Sequence, residues 1–192
     1  MRAVQITELS GPQSLRVIEV LEPTDTNKVW VEVHAAGVSF PDLLMSQGLY
    51  QMPLTLPAIL GSEAAGVVRY APPGSRWRVG DRVIAALVNF GAWAEVLAVD
   101  EDDLFRLPEG MSFAAGAGLL MNYATMHFTY TLRTAVTRGQ TVVVHGAGGG
   151  IGVAAIELAR AYGLQSIAVV SSAAKAELAR AAGADDVIDI DG

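Results

Sequence analysis

Five glycines fall within seven residues between Gly146 and Gly152, in the run Val142-Val143-Val144-His145-Gly146-Ala147-Gly148-Gly149-Gly150-Ile151-Gly152. Three valines lead into the cluster, and Ile151, Ala154, Ala155, Leu158 and Tyr162 follow at helical spacing. The pattern predicts a buried strand, a tight turn and a helix start. Glycine lets the chain turn sharply and lets a ligand approach the backbone. A helix start turns unsatisfied N–H groups and a partial positive charge toward the turn, where a diphosphate is the usual guest. The strict G-x-G-x-x-G spacing is not met, because Ala147 occupies the slot of the first glycine ahead of Gly149 and Gly152. The candidate cofactor contacts in the turn are Gly146, Ala147, Gly149, Gly150, Ile151 and Gly152.

A second constellation follows the next apolar run, Ile167-Ala168-Val169-Val170. At the end of such a strand an acid would accept hydrogen bonds from a ribose 2′-hydroxyl and repel a 2′-phosphate. This chain has Ser171 and Ser172 there instead, with Lys175 beyond. Two hydroxyls and a cation suit a 2′-phosphate, which favours NADP(H) over NAD(H). The plain alternative is that the serines cap a helix and the lysine lies on its solvent face.

Other chemistries are bounded by composition. The 192 residues include no cysteine and three histidines, His34, His127 and His145, which are scattered. Disulfides, a thiol nucleophile and Cys-ligated zinc are excluded, and no metal site is expected. The net charge is −7 with dispersed Lys and Arg, which argues against nucleic acid as a partner. The N-terminus lacks the apolar core of a signal peptide, and glycines interrupt every long apolar stretch before it could span a bilayer. The expectation is a cytoplasmic protein with no membrane partner. Glu63 stands among small apolar residues, and either braces a loop by pairing with an arginine or lines a cleft.

The elements that would position these groups can be read in order. Val4 and Ile6 suggest a first strand, and Leu15–Val20 a second. Val29, Val31 and Val33 alternate with Trp30, Glu32 and His34, the period of a half-buried strand. Ser39 suits an N-cap, with Pro41 and Asp42 in the first turn and Gly48 as the stop. Leu49 to Pro57 is predicted as a loop. A strand is expected after Val79-Gly80-Asp81 and another over Trp93–Ala98, with Glu101-Asp102-Asp103 as a solvated turn. Ser112 is placed to cap a buried linking helix through His127, with helical character to about Val136. The glycine turn follows, then a helix over 173–182 ending at Gly183, and a third parallel strand over 187–190. His145, on the expected buried strand, reads as structural.

Four ordered segments carry a family resemblance. They are Ala36-Gly37-Val38-Ser39-Phe40-Pro41-Asp42, Gly61-Ser62-Glu63-Ala64-Ala65-Gly66, Val79-Gly80-Asp81-Arg82-Val83 and the turn from His145 to Gly152. Together they resemble the zinc-independent quinone oxidoreductases, the zeta-crystallin-like branch of the medium-chain dehydrogenase/reductase superfamily. The resemblance implies α/β plus β-rich architecture: a GroES-like catalytic domain over residues 1–120, then the first half of a Rossmann NADP(H)-binding domain over residues 121–192. Zinc-dependent members have Cys and His where this chain has Ser39 and Ser62, so no zinc is implied. The resemblance also implies NADPH along the turn, its 2′-phosphate toward Ser171 and Lys175, and a nicotinamide cleft faced by Ser39, Tyr50 and Thr125. Ser39 and Tyr50 are the candidate catalytic residues, with Tyr50 donating a proton, orienting the acceptor or acting as an aromatic lid. The family often has Asn at the position of Ser39 and Tyr at that of Leu44.

The activity implied is hydride transfer from NADPH to a small-molecule quinone or enone. An enoyl-thioester reductase is the alternative within the superfamily, and a non-catalytic nucleotide-binding or structural protein the alternative outside it. Only about half of a dinucleotide domain is present, so the expectation is either a fragment of a longer enzyme or a chain that a partner completes. A homodimer is expected of the complete protein.

Overall fold

The computed structural model describes residues 1–191. They form two compact units, Met1–Leu120 and a second beginning at Met121.

The first unit is built from short antiparallel strands. β1 (Arg2–Ile6) lies between β2 (Leu15–Glu19) and a two-residue strand reached later in the chain. β3 (Val29–Ala36) follows, then helix α1 (Phe40–Ser46), the short β4 (Ala58–Ile59) beside β1, and β5 (Glu63–Tyr70). β6 (Arg82–Ala86), β7 (Val96–Val99) and β8 (Leu104–Arg106) complete a five-stranded sheet in the order β7-β3-β5-β6-β8. The alternation expected of β3 holds: Val29 and Val31 are buried, while Glu32 and His34 face out. Residues 93–95 sew the two sheets together. Val4 donates to the Trp93 carbonyl at 2.8 Å, Glu95 to Arg2 at 3.1 Å and Val33 to Glu95 at 2.9 Å. The core beneath contains Val29, Val31, Val68, Trp77, Val83 and Leu97. The strand predicted over Trp93–Ala98 therefore starts at Val96, and its first residues form the seam. β4 and β8 were not expected, because two or three residues are too few to show a period.

Helix α2 (Phe113–Gly116) is capped by Ser112, whose Oγ accepts from Ala115 N–H at 3.1 Å. The linking segment is not one buried helix, which corrects the expectation. It breaks after Gly116 and resumes as a π-turn over Leu120–Ala124, helix α3 (Thr125–Phe128) and a second π-turn over Thr129–Arg133. Only Tyr130 among residues 120–133 is buried. Thr125, Thr129, Thr131 and Thr134 each donate a hydroxyl back to the carbonyl of the preceding turn. Such bonds compete with the backbone ladder and bend helices.

In the second unit β9 (Thr141–His145), α4 (Gly150–Tyr162), β10 (Gln165–Val170), α5 (Ala173–Ala182) and β11 (Asp186–Asp189) alternate. The strands form a parallel sheet in the order β11-β10-β9. Ala155, Ile156 and Ala159 of α4 and Ala176 and Ala179 of α5 pack on Ala168 and Val170. The alanines among them let the helices come close to the sheet. The strand expected to be buried, β9, is not. Val143 is 56% exposed and His145 is also exposed. Among the described residues β9 has one strand neighbour, and its free side borders an open groove of about 640 Å³ lined by Met126, Tyr130, Val142, Val144 and Ile151. Among the described residues His145 is thus exposed, where a buried position was expected.

Candidate functional site

The turn between β9 and α4 is held by its own backbone. Gly146 has φ +65, a left-handed conformation that favours glycine. Its carbonyl accepts from Gly149 N–H at 3.0 Å, and Ala147 N–H donates to Val169 of β10 at 3.2 Å. Gly149 is the N-cap of α4, and no side chain caps that end. The first-turn N–H groups thus lack intrahelical partners and face the turn. At Gly149 an added Cβ would find only Gly146 O, at 3.4 Å, so the space before it is open. At Gly152 a Cβ would lie 2.5 Å from Ala147 Cα, so helix and strand end are in close contact there. These residues fit a diphosphate: open space at the helix start, bordered by backbone donors and the positive end of a thirteen-residue helix.

The candidate turn residues divide by environment. Ala147 is fully buried, and its methyl belongs to the core of the second unit, leaving its main chain to the turn. Ile151 is 42% exposed and lies along the groove beside β9 rather than in the core. At Gly150 a Cβ would come within 2.8 Å of Asn122 Nδ2, so the Asn122 carboxamide lies against the first residue of the helix. The sequence gives no periodic signal for Asn122.

Ser171, Ser172 and Lys175 gather at the C-terminal end of β10. Lys175 Nζ donates to Ser171 Oγ at 2.9 Å. Ser172 caps α5, its Oγ accepting from Lys175 N–H at 3.4 Å. The lysine stem reaches back to the glycine turn, where a Cβ on Gly148 would lie 2.7 Å from Lys175 Cβ. The turn and the serine–lysine group therefore form one surface, with Ser172 acting in the helix cap and Ser171 beside the ammonium.

Thr125 is exposed, and its Oγ1 donates to Met121 O at 2.5 Å. Nearby, the Tyr123 hydroxyl makes a short hydrogen bond to Glu157 of α4, and His127 makes one to Tyr162. The bond to Glu157, with partial burial and the carboxylate's charge, pushes the Tyr123 phenol up to about 12.

In the first unit Ser39 begins α1. Its N–H and Oγ both donate to Asp42 Oδ2, at 2.8 and 2.7 Å. Asp42 is 2% exposed, and its other oxygen accepts from Gly61 N–H at 3.2 Å. Trp93 Nε1 donates to Gly37 O at 2.8 Å, and its indole packs against Gly61. Glu63 is buried beneath Gly37. The segments around Gly37–Asp42 and Gly61–Glu63 are thus pinned to each other. Asp42 is the residue that sequence reasoning missed; its S-x-x-D spacing signalled the cap but not the reach to Gly61. Tyr50 is half-buried against Ile6, Met45 and Leu60.

Residues 25–109 match the family model for the alcohol dehydrogenase GroES-like domain. The quinone oxidoreductase of Pseudomonas aeruginosa is 37% identical over 195 residues, covering 98% of this chain and 58% of that protein. A solved structure of a probable oxidoreductase from Mycobacterium abscessus superposes with a TM-score of 0.94 at 43% identity, covering 99% of this chain and 62% of that one. Escherichia coli quinone oxidoreductase, solved in complex with NADPH, superposes with a TM-score of 0.90 at 32% identity, covering 98% and 58%. The chain thus spans roughly three-fifths of the length of these relatives. With the GroES-like strands, the parallel half-sheet and the glycine turn in the same order, the chain belongs to the zeta-crystallin-like quinone oxidoreductase branch of the medium-chain dehydrogenase/reductase superfamily.

Proposed function

We propose that this protein is an NADPH-dependent, zinc-independent oxidoreductase that reduces a quinone or a related enone. The carrying observation is the Lys175–Ser171 pair lying against the glycine turn, at a strand end that bears no acid. When bound, NADPH supplies the hydride. The residues of this chain do the rest. The turn from Gly146 to Gly152 holds the diphosphate on backbone N–H groups. Lys175 neutralises the 2′-phosphate, and Ser171 offers it a hydroxyl.

Thr125 is assigned to the cofactor side of the reaction, and Ser39 and Tyr50 to the acceptor side. Ser39 is held in one orientation by Asp42, which suits it to positioning rather than proton transfer. Tyr50 is assigned to orient the acceptor oxygen or protonate it. Zinc independence rests on the absence of cysteine and on serine at positions 39 and 62. Among the described residues no three His, Cys, Asp or Glu side chains gather as a metal site would require. No helix among them is long and apolar enough to cross a membrane. A homodimer in the cytoplasm belongs to the same reading.

The test is nucleotide selectivity. Lys175→Ala should weaken NADPH by about ten- to a hundredfold, the range for a lost charge-assisted contact, and leave NADH nearly unchanged. Equal losses for both nucleotides would reject the assignment. Turnover of quinones and enones, but not of enoyl thioesters, is expected.

A further inference from the structure

The start of α4 has a polar side chain against it that the glycine turn does not supply. A Cβ built on Gly150 would lie 2.8 Å from Asn122 Nδ2 and 3.2 Å from both Cγ and Oδ1, so the whole carboxamide rests on the bare first residue of the helix. One residue earlier, at Gly149, a Cβ would meet only Gly146 O, at 3.4 Å. The amide therefore borders the open space before the helix. Asn122 is half-buried and sits in the π-turn over Leu120–Ala124. A π-turn carries one more residue than an α-turn, and such turns recur at functional sites. Neighbouring residues fix the segment on α4: the Tyr123 hydroxyl donates to Glu157, and the Tyr130 hydroxyl donates to Ala155 O at 3.1 Å. The N–H groups of the first helical turn point into the same space. A carboxamide nitrogen carries two donors, so it can serve a ligand oxygen and a protein acceptor at once.

We propose that Asn122 is a further cofactor-binding residue, its carboxamide N–H donating to a diphosphate oxygen beside the backbone donors of α4. The helix offers main-chain N–H groups, and the linking segment adds a side-chain donor next to them. The diphosphate is common to NADPH and NADH, so Asn122 holds both alike, whereas Lys175 separates them. This rests on the reading of the glycine turn as the diphosphate site.

The experiment reads dissociation constants, not turnover. The full chain is titrated with NADPH, NADH, ADP-ribose and adenosine 2′-monophosphate, the last of which lacks the diphosphate. Asn122→Ala should weaken NADPH, NADH and ADP-ribose by a common factor of roughly three to ten, the range for one neutral hydrogen bond, and leave adenosine 2′-monophosphate unchanged within about twofold. Asn122→Asp keeps the shape but sets a carboxylate against the phosphates. It should cost the diphosphate ligands more than alanine does, about ten- to a hundredfold. An amide that only packs would lose no more with the isosteric aspartate than with alanine. The proposal is overturned by an equal loss for adenosine 2′-monophosphate, by a loss confined to the ligands that carry nicotinamide, by aspartate binding as tightly as alanine, or by no effect at all. Failure of the underlying reading has a different signature: Gly149→Val, titrated alongside, would leave NADPH affinity unchanged.

Discussion

At Gly152 an added methyl would meet Ala147 Cα at 2.5 Å and Gly146 O at 2.6 Å, backbone atoms that cannot swing aside. Gly152→Ala should therefore destabilise the second unit by about 1–3 kcal/mol, the usual cost of overpacking, visible as a lowered Tm. Gly149, in the same turn, is the reverse case. Its φ of −91 suits any residue and the space before it is open. Gly149→Val should leave the fold within about 1 kcal/mol and abolish nucleotide binding, because the side chain occupies the space assigned to the diphosphate. Unchanged NADPH affinity in that variant would reject the turn as the site. Asp42→Ala removes the acceptor for Ser39 and Gly61 at a buried position, and should cost about 1–3 kcal/mol in chemical denaturation. The glycine cluster and the serine–lysine group were visible in the sequence as residue types. Which glycine is tight and which is open was not, because that depends on atoms brought in from Ala147, Asn122 and Lys175 by the fold.

Among the elements, α5 was legible from end to end: Ser172 caps it, Gly183 ends it in a left-handed conformation, and alanines mark its buried face. β3 was legible through its alternation. β9 was legible as a strand from its three valines, which describe an apolar segment and not what covers it; among the described residues one of its sides is bare. The linking segment was misread for a related reason: apolar content suggested burial, while back-bonding threonines and π-turns leave most of it exposed. The bond that ties it to α4, from Tyr123 to Glu157, gives a pH dependence. The folded state raises the phenol from its ordinary 10.0 to about 12. A raised pKa means that folding favours the protonated phenol. This contribution is complete below about pH 10 and fades as the pH rises toward 12. A tyrosinate absorbance titration should show late ionisation of Tyr123 beside that of Tyr130, whose phenol is also pushed up by burial, and Tyr123→Phe should remove the first and keep the second.

Among the described residues each of the two units has its own packing. The first is closed by antiparallel strands seamed through residues 93–95, and the second is a three-stranded parallel sheet under two alanine-rich helices. With no cysteine and no gathered ligand set among the described residues, a chelator should leave activity intact, and a rate restored by added Zn²⁺ would overturn the zinc-free reading.

The tryptophans, Trp30, Trp77 and Trp93, all lie in the unit ending at Leu120. Trp93 is held by Gly37 and packed on Gly61, and Trp77 is buried. Intrinsic emission excited at the indole band therefore comes from residues of the first unit, and the parallel sheet of the second unit carries no indole among the described residues. Helical ellipticity comes largely from α4 and α5, in the second unit. For these residues a melt followed by fluorescence and one followed by ellipticity are two different experiments. A gap between their midpoints would measure how far each core stands on its own.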